Sequence, residues 1–244
     1  MRLLVVNPNS TASMTRKIAD TARRTCSAGT EIIAVNPDDS PASIEGYFDE
    51  ALSVPGTIEL VRAHPDADAV VIACFDDTGL DALRCIAAAP VVGIGEAAFH
   101  VASMIACKFS VVTTLARSVP AIEHNLVRYG LMSRCAGVRA SDIPVLDLEL
   151  DSGDARERIG RHIARAVEDD KAEAIVLGCA GMTDLASALE KTHGVPILDG
   201  VACAVALCES LVRLGCKTSK IGGYAWPRVK PAAGPAAAAG GGPV

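Results

Sequence analysis

The sequence predicts an α/β protein built from two similar halves, and three observations carry that prediction. Short runs of β-branched residues alternate with longer Ala-rich stretches of helical character, the pattern of parallel sheets flanked by helices. Landmarks recur at a nearly constant interval. Half of the 244 residues are apolar, enough to build a core in one large unit or two small ones.

The elements follow in order. Leu3–Val6 is a continuous apolar run that reads as the first strand and stops at Asn7-Pro8-Asn9. Asn9 and Ser10 stand where an N-cap belongs, ahead of a helix predicted over Ala12–Cys26; ligand contact is the alternative role for both. Glu31–Val35 is the next strand, and Pro41 opens a loop that carries Ile44. The strand Ala69–Ala73 runs into Cys74, and a proline introduces the strand Val91–Gly93. Phe109–Val112 then precedes a helix over Pro120–Arg128, with proline in its first turn. Val145–Leu148 is predicted as a strand and Ala155–Val167 as a helix. The strand Ala174–Leu177 runs into Cys179, and the strand Pro196–Leu198 leads to a helix over Val201–Leu214. From Pro231 to Val244 the chain is Ala, Gly and Pro without periodicity, which predicts a disordered tail.

The interval is the sharper signal. Leu4-Val5-Val6-Asn7 matches Ser110-Val111-Val112-Thr113, and Ala69–Cys74 matches Ala174–Cys179. Pro90-Val91-Val92-Gly93 matches Pro196-Ile197-Leu198-Asp199, and the three offsets are 106, 105 and 106 residues. The chain therefore reads as two Rossmann-like half-domains with parallel sheets related by a pseudo-twofold axis, and an active site between them. Residues 1–97 form the first half, completed by about 212–230, and residues 98–211 the second.

Composition excludes several classes. A net charge of −6, an isoelectric point near 5.4 and 3% aromatics argue against nucleic acid, which demands basic surface or stacking platforms. No stretch of about 18 apolar residues predicts a membrane span. Leu3–Val6 is too short for a secretory h-region, so the cytoplasm is the expected compartment. Nine cysteines, without a C-x-x-C pair and with five histidines scattered away from them, predict free thiols and no metal centre.

A free cysteine is ordinarily a small buried hydrophobe. Cys74 and Cys179 differ from the other seven because each ends a strand at equivalent places in the two halves. Ligands of parallel sheets bind beyond the carboxyl ends of the strands. There a following helix N-terminus is expected to favour thiolate. Two acid/base groups facing one carbon from opposite sides can remove a proton from one face and return one to the other, which is racemisation. The carbon must already be acidic, since no metal cluster or pyridoxal-type lysine motif is present. A ring carbon beside a carbonyl qualifies if donors hold the enolate oxygen. The N–H groups of Phe75–Asp77 and Ala180–Met182 are the candidates, and Gly178 and Gly181 serve either close ligand approach or packing. Asp76 and Asp77 either tune Cys74 or complement a helix dipole.

Five segments resemble the aspartate/glutamate racemase superfamily in its hydantoin/allantoin racemase branch, between Met1 and about Arg228. They are Asn7-Pro8-Asn9-Ser10-Thr11, Pro41-Ala42-Ser43-Ile44-Glu45-Gly46, Ala73-Cys74-Phe75-Asp76-Asp77, Phe109–Thr114 and Leu177–Met182. The resemblance implies cofactor-independent racemisation of 5-monosubstituted hydantoins by Cys74 and Cys179. It also implies a substrate cradle of Asn9, Ile44, Phe75, Thr114, Ala180, Gly181 and Met182, and a homo-oligomer. Two departures stand out. Thr78 occupies a position where hydantoin racemases commonly carry proline, and Ala180-Gly181 replaces the Thr-His pair of glutamate racemases. The second favours a neutral ring over an amino-acid zwitterion. Allantoin, a ureido-substituted hydantoin, is the alternative substrate. Arylmalonate decarboxylases would have glycine at the first cysteine, maleate isomerases keep both, and a non-catalytic binding module has no need of matched thiols.

Overall fold

A computed structural model describes residues 1–149 and 153–228; the expected tail, Pro231–Val244, lies outside the described residues. The first half runs β1 (Arg2–Val6), α1 (Ala12–Thr25), β2 (Glu31–Val35), α2 (Tyr47–Ala63), β3 (Ala69–Ile72), α3 (Leu80–Ile86), β4 (Val91–Gly93) and α4 (Ile94–Ile105). The second repeats it as β5 (Phe109–Thr113), α5 (Val119–Arg128), β6 (Cys135–Ala140), α6 (Gly153–Glu168), β7 (Ala174–Gly178), α7 (Ala186–His193), β8 (Ile197–Asp199) and α8 (Gly200–Arg213). Both sheets are wholly parallel and have the same order, β2-β1-β3-β4 and β6-β5-β7-β8.

Parallel strands covered on both faces need apolar side chains on both. Leu3, Leu4, Val5 and Val6 are accordingly all 0% exposed. Alternation sends Leu3, Val5, Ala69 and Val71 into a central core that also receives Phe109, Val111, Ala174 and Val176 of the second sheet. Helices α1, α4, α5 and α8 fill the space between the sheets through Met14, Ala98, Ile122 and Ala204. The opposite strand faces pack outward, Leu4 and Ile72 under α2 and α3, Val112 and Ile175 under α6 and α7. Helix α4 leaves the first sheet and packs against β7, while α8 leaves the second and packs against β3 and β4. The two halves are thus welded through a shared helical layer.

One predicted strand is corrected. Val145–Leu148 forms a 3-10 turn over Val145–Glu149, with Val145 and Leu148 buried and the two residues between them exposed, a spacing of three rather than two. The strand beside β5 is Cys135–Ala140 instead. Its Ala, Gly and Arg content hides it, and as a half-exposed edge strand it draws its order from β5 rather than from its own propensity. The remaining predicted strands and helices agree with the structure to within two residues at each end.

Among the described residues, no helix is long and apolar enough to cross a membrane, and no group of three or more His, Cys, Asp and Glu side chains could hold a metal ion.

Candidate active site

Each sheet turns its chain order around its first strand, so β1/β3 and β5/β7 bracket the switch points where a doubly wound sheet opens a crevice. Both crevices contribute to one cavity of about 390 Å³. Asn9 enters from beyond β1, Cys74 from beyond β3, Thr114 from beyond β5 and Cys179 from beyond β7. Of the other residues expected there, Ile44, Phe75 and Ala180 also line it. Gly181 and Met182 do not. Met182 is fully buried in the second half's outer core, whereas Gly181 works through its N–H. Met14, Ala73, Asp76, Thr113, Ser118, Val145 and Gly178 complete the wall; of these, Asp76 and Gly178 had a local signal, their places beside Cys74 and Cys179.

The thiols are alike in position and in one hydrogen bond. The N–H of Gly181 donates to Cys179 Sγ at 3.4 Å, and the N–H of Asp76 donates to Cys74, each from two residues downstream. Neither thiol is acidic. Burial, then the carboxyl of Asp76, pushes Cys74 well above the ordinary thiol range. Burial pushes Cys179 up to about 12, with Asp76 adding to the rise and Lys17 opposing it. The expected helix-assisted lowering is overturned for a structural reason. Helix α3 begins only at Leu80, and Cys179 heads a 3-10 turn of three residues, so neither cysteine has the dipole of a long helix behind it.

The turn after Cys74 is held by an aspartate acting at a distance. Asp77, with φ 54°, buries its carboxylate against the N-terminus of α4, accepting from Gly95 N at 2.9 Å and Glu96 N at 2.8 Å. Tyr129 Oη donates to it at 2.7 Å, and burial nevertheless pushes it up to about 7. In the second half the matching cap is Asp199 itself, whose carboxylate accepts from Val201 N and Ala202 N at the start of α8. The first-half equivalent of Asp199 is Gly93. A Cβ there would lie 2.0 Å from Asp77 Oδ1, so glycine leaves the space that Asp77 occupies. The dipole role weighed for this aspartate is real, but it serves α4 rather than the adjacent α3. Asn125 Nδ2 adds a bond to Asp76 O at 2.9 Å. Thr78, the departure from proline, donates its hydroxyl to Cys74 Sγ at 3.3 Å, a contact proline cannot make.

The turn after Cys179 is held by a cation. Lys17 of α1 reaches Leu148 O at 3.3 Å, Gly181 O at 3.5 Å and the carboxylate of Glu149 at 3.3 Å. Gly178 both lines the cavity and packs closely: a Cβ would lie 2.7 Å from Thr113 Cβ, and Thr113 Oγ1 donates to Gly178 O. A Cβ on Gly181 would meet Leu148 at 3.0 Å.

The remaining wall joins the halves. Glu45 Oε1 accepts from Val145 N at 3.0 Å, tying the Ile44 loop to the Val145 turn across the cavity mouth. Asn9 does not cap α1, whose N-cap is Thr11 without a side-chain bond. Its Oδ1 accepts from Thr11 N and Asn7 Nδ2, both at 2.9 Å, in an Asx turn. That leaves the Asn9 amide N–H against only a weak acceptor, Met14 Sδ at 3.2 Å, on the cavity wall.

Comparison with known proteins shows the family. The family model described as Asp/Glu/Hydantoin racemase matches residues 3–208. A hydantoin racemase of Rhizobium meliloti is 50% identical over 236 residues, 96% of this chain and 98% of that one. The structure of an allantoin racemase from Klebsiella pneumoniae aligns with a TM-score of 0.93 at 46% identity, covering 96% of each chain. An allantoin racemase from Pseudomonas fluorescens gives the same TM-score and identity over 96% of this chain and 100% of its own. With a family model spanning most of its length and relatives this similar over nearly all of it, the chain belongs to the Asp/Glu/Hydantoin racemase family.

Proposed function

We propose that this racemase inverts C5 of 5-monosubstituted hydantoins, with Cys74 and Cys179 as the two acid/base groups. The observation that supports the reading most is the meeting of two strand-terminal thiols, from equivalent places in duplicated sheets, on one cavity. One sulfur, as thiolate, takes the C5 proton; the other, as thiol, delivers a proton to the opposite face; the charge states end exchanged.

The enolate oxygen needs donors. The N–H groups of Asp77 and Met182 are already given to Cys74 O and Cys179 O, and those of Asp76 and Gly181 to the sulfurs. Among the described residues, none accepts from the N–H of Phe75 or Ala180, and both residues line the cavity. A buried N–H without a partner calls for one. The positions directly after each cysteine thus supply donors for the carbonyl beside C5. The high thiol pKa values fit a site whose base is strong once formed, and burial without a cation beside Cys74 fits a neutral ring better than a zwitterion.

The test uses Cys74→Ser and Cys179→Ser with enantiopure substrate in deuterated water. Net racemisation above the uncatalysed rate is expected to vanish in both. C5 deuterium exchange is expected to survive with one enantiomer in the first variant and with the other enantiomer in the second. Full racemisation by either variant removes the mechanism.

A further inference from the structure

One pair of side chains at the cavity is not used by the proton transfers. Asp76 lines the cavity, near enough for its carboxyl to act on both thiols. It lies within hydrogen-bond reach of Glu50 in the first turn of α2. Glu50 Oε1 is buried with no ordinary donor; the carboxyl of Asp76 supplies one when it carries a proton. Burial together with the neighbouring carboxylates Glu50 and Asp77 holds Asp76 well above the usual carboxylate range, so the pair keeps a proton between its members. Two consequences follow. Asp76 adds no full charge next to a carbanion in formation, and its carboxyl, on the cavity wall, is open to a donor brought by a ligand.

Buried acceptors select ligands that bring donors. The apolar part of the wall, Met14, Ile44, Phe75 and Val145, provides none. A hydantoin ring carries N–H next to C5, common to every substrate, and that group cannot discriminate among substituents. A substituent that itself begins with N–H can.

We infer that Asp76, held by Glu50, is a specificity-determining residue that favours hydantoins whose C5 substituent is an N–H donor, the ureido class, over alkyl and aryl hydantoins.

The inference rests on the two-thiol reading, and the experiment separates them. Values of kcat/KM for enantiopure allantoin and 5-isopropylhydantoin are measured on wild type, Asp76→Leu and Glu50→Gln. Wild type is expected to favour allantoin by about tenfold or more, and Asp76→Leu, which removes the acceptor, to cut that ratio by about 10–100-fold. Glu50→Gln still accepts from Asp76 and is expected to keep the ratio within about threefold. An unchanged ratio in Asp76→Leu, or a wild type that prefers the alkyl substrate, overturns the inference while the two-thiol mechanism stands. A wild type that racemises neither overturns both. Should Asp76→Leu turn over too slowly, calorimetric binding of both compounds to the Cys74→Ala/Cys179→Ala chain, with and without Asp76→Leu, reads the same ratio. Selective loss of allantoin binding supports the inference, and equal loss overturns it.

Discussion

The turns that follow Cys74 and Cys179 occupy matching places, yet they are held by opposite means. Beyond Cys74 lie two buried carboxyls. That turn is pinned from the other half by neutral groups of α5 and the residue after it, Asn125 to the backbone of Asp76 and Tyr129 to Asp77. Beyond Cys179 lie Ala180 and Gly181, pinned from the first half by the ammonium of Lys17 on α1. Each cysteine turn therefore depends on the opposite half for its placement, which fixes the two sulfurs relative to each other more firmly than either half could alone. Duplication supplied the geometry, and divergence supplied the charge. Cys179 feels Lys17 as well as Asp76, whereas Cys74 faces Asp76 and Glu50. Of two thiols both pushed upward by burial, Cys179 is expected to be the easier to ionise.

The largest effect is expected from removing the space that lets the two caps differ. Gly93→Ala drives a methyl into Asp77 Oδ1, expelling a buried carboxyl from the α4 N-terminus. The expected cost is about 3 kcal/mol or more, read as a lowered urea midpoint with racemisation lost in step. Stability equal to wild type would show that α4 needs no borrowed cap.

Lys17→Met strikes the other turn. It leaves Glu149 and two carbonyls without their cation and removes the charge that favours the Cys179 thiolate. A fall in kcat/KM of about tenfold is expected, equal in both directions because the equilibrium constant of a racemisation is one. Iodoacetamide labelling followed by mass spectrometry sharpens the point. Wild type is expected to alkylate faster at Cys179 than at Cys74, and Lys17→Met to lose that order. Faster alkylation at Cys74 in wild type would reverse the assignment of the easier thiol.

The smallest effect is expected from Tyr129→Phe, about 1 kcal/mol for one hydrogen bond to a buried carboxyl. Its signature is in the pH dependence. Asp77 is raised in the folded chain to about 7, above its unfolded value, so the folded state holds a proton that the unfolded state releases. The contribution of this group to stability is complete below about pH 4 and declines as pH rises towards about 7. The tyrosine hydroxyl favours the ionised form; without it the folded pKa rises further, and the decline continues to higher pH. Melting temperatures of wild type and variant across this range check the sign, and parallel curves would dismiss Asp77 as the group involved.

How much of this was legible depends on the distance over which each feature is encoded. Leu3–Val6 and Ala69–Ala73 announce buried parallel strands by their own composition, and the spacing of Cys74 from Cys179 announces the duplication. Strand β6 was hidden because an edge strand of Cys, Ala, Gly, Val and Arg is ordered by its neighbour. Val145-Leu146-Asp147-Leu148 suits a strand or a 3-10 turn, and the bond between Glu45 and Val145 N, 100 residues apart, belongs to the turn. Of the expected cradle, Asn9, Ile44, Phe75, Thr114 and Ala180 reach the cavity because each lies just beyond the carboxyl end of a strand or sits in the covering loop. Met182 does not, because the 3-10 turn rotates it into the outer core.

Sequence by itself determined the α/β class, the repeat, and which two of nine cysteines stand at equivalent strand ends, because strand composition and spacing are local or periodic properties of the chain. Tertiary structure decided the upward push on those thiols, the borrowing of Asp77 by α4, the grip of Lys17 and the pairing of Asp76 with Glu50. These depend on desolvation and on contacts between segments far apart in the chain, and a buried carboxyl or thiol acquires its pKa only from the walls that close around it.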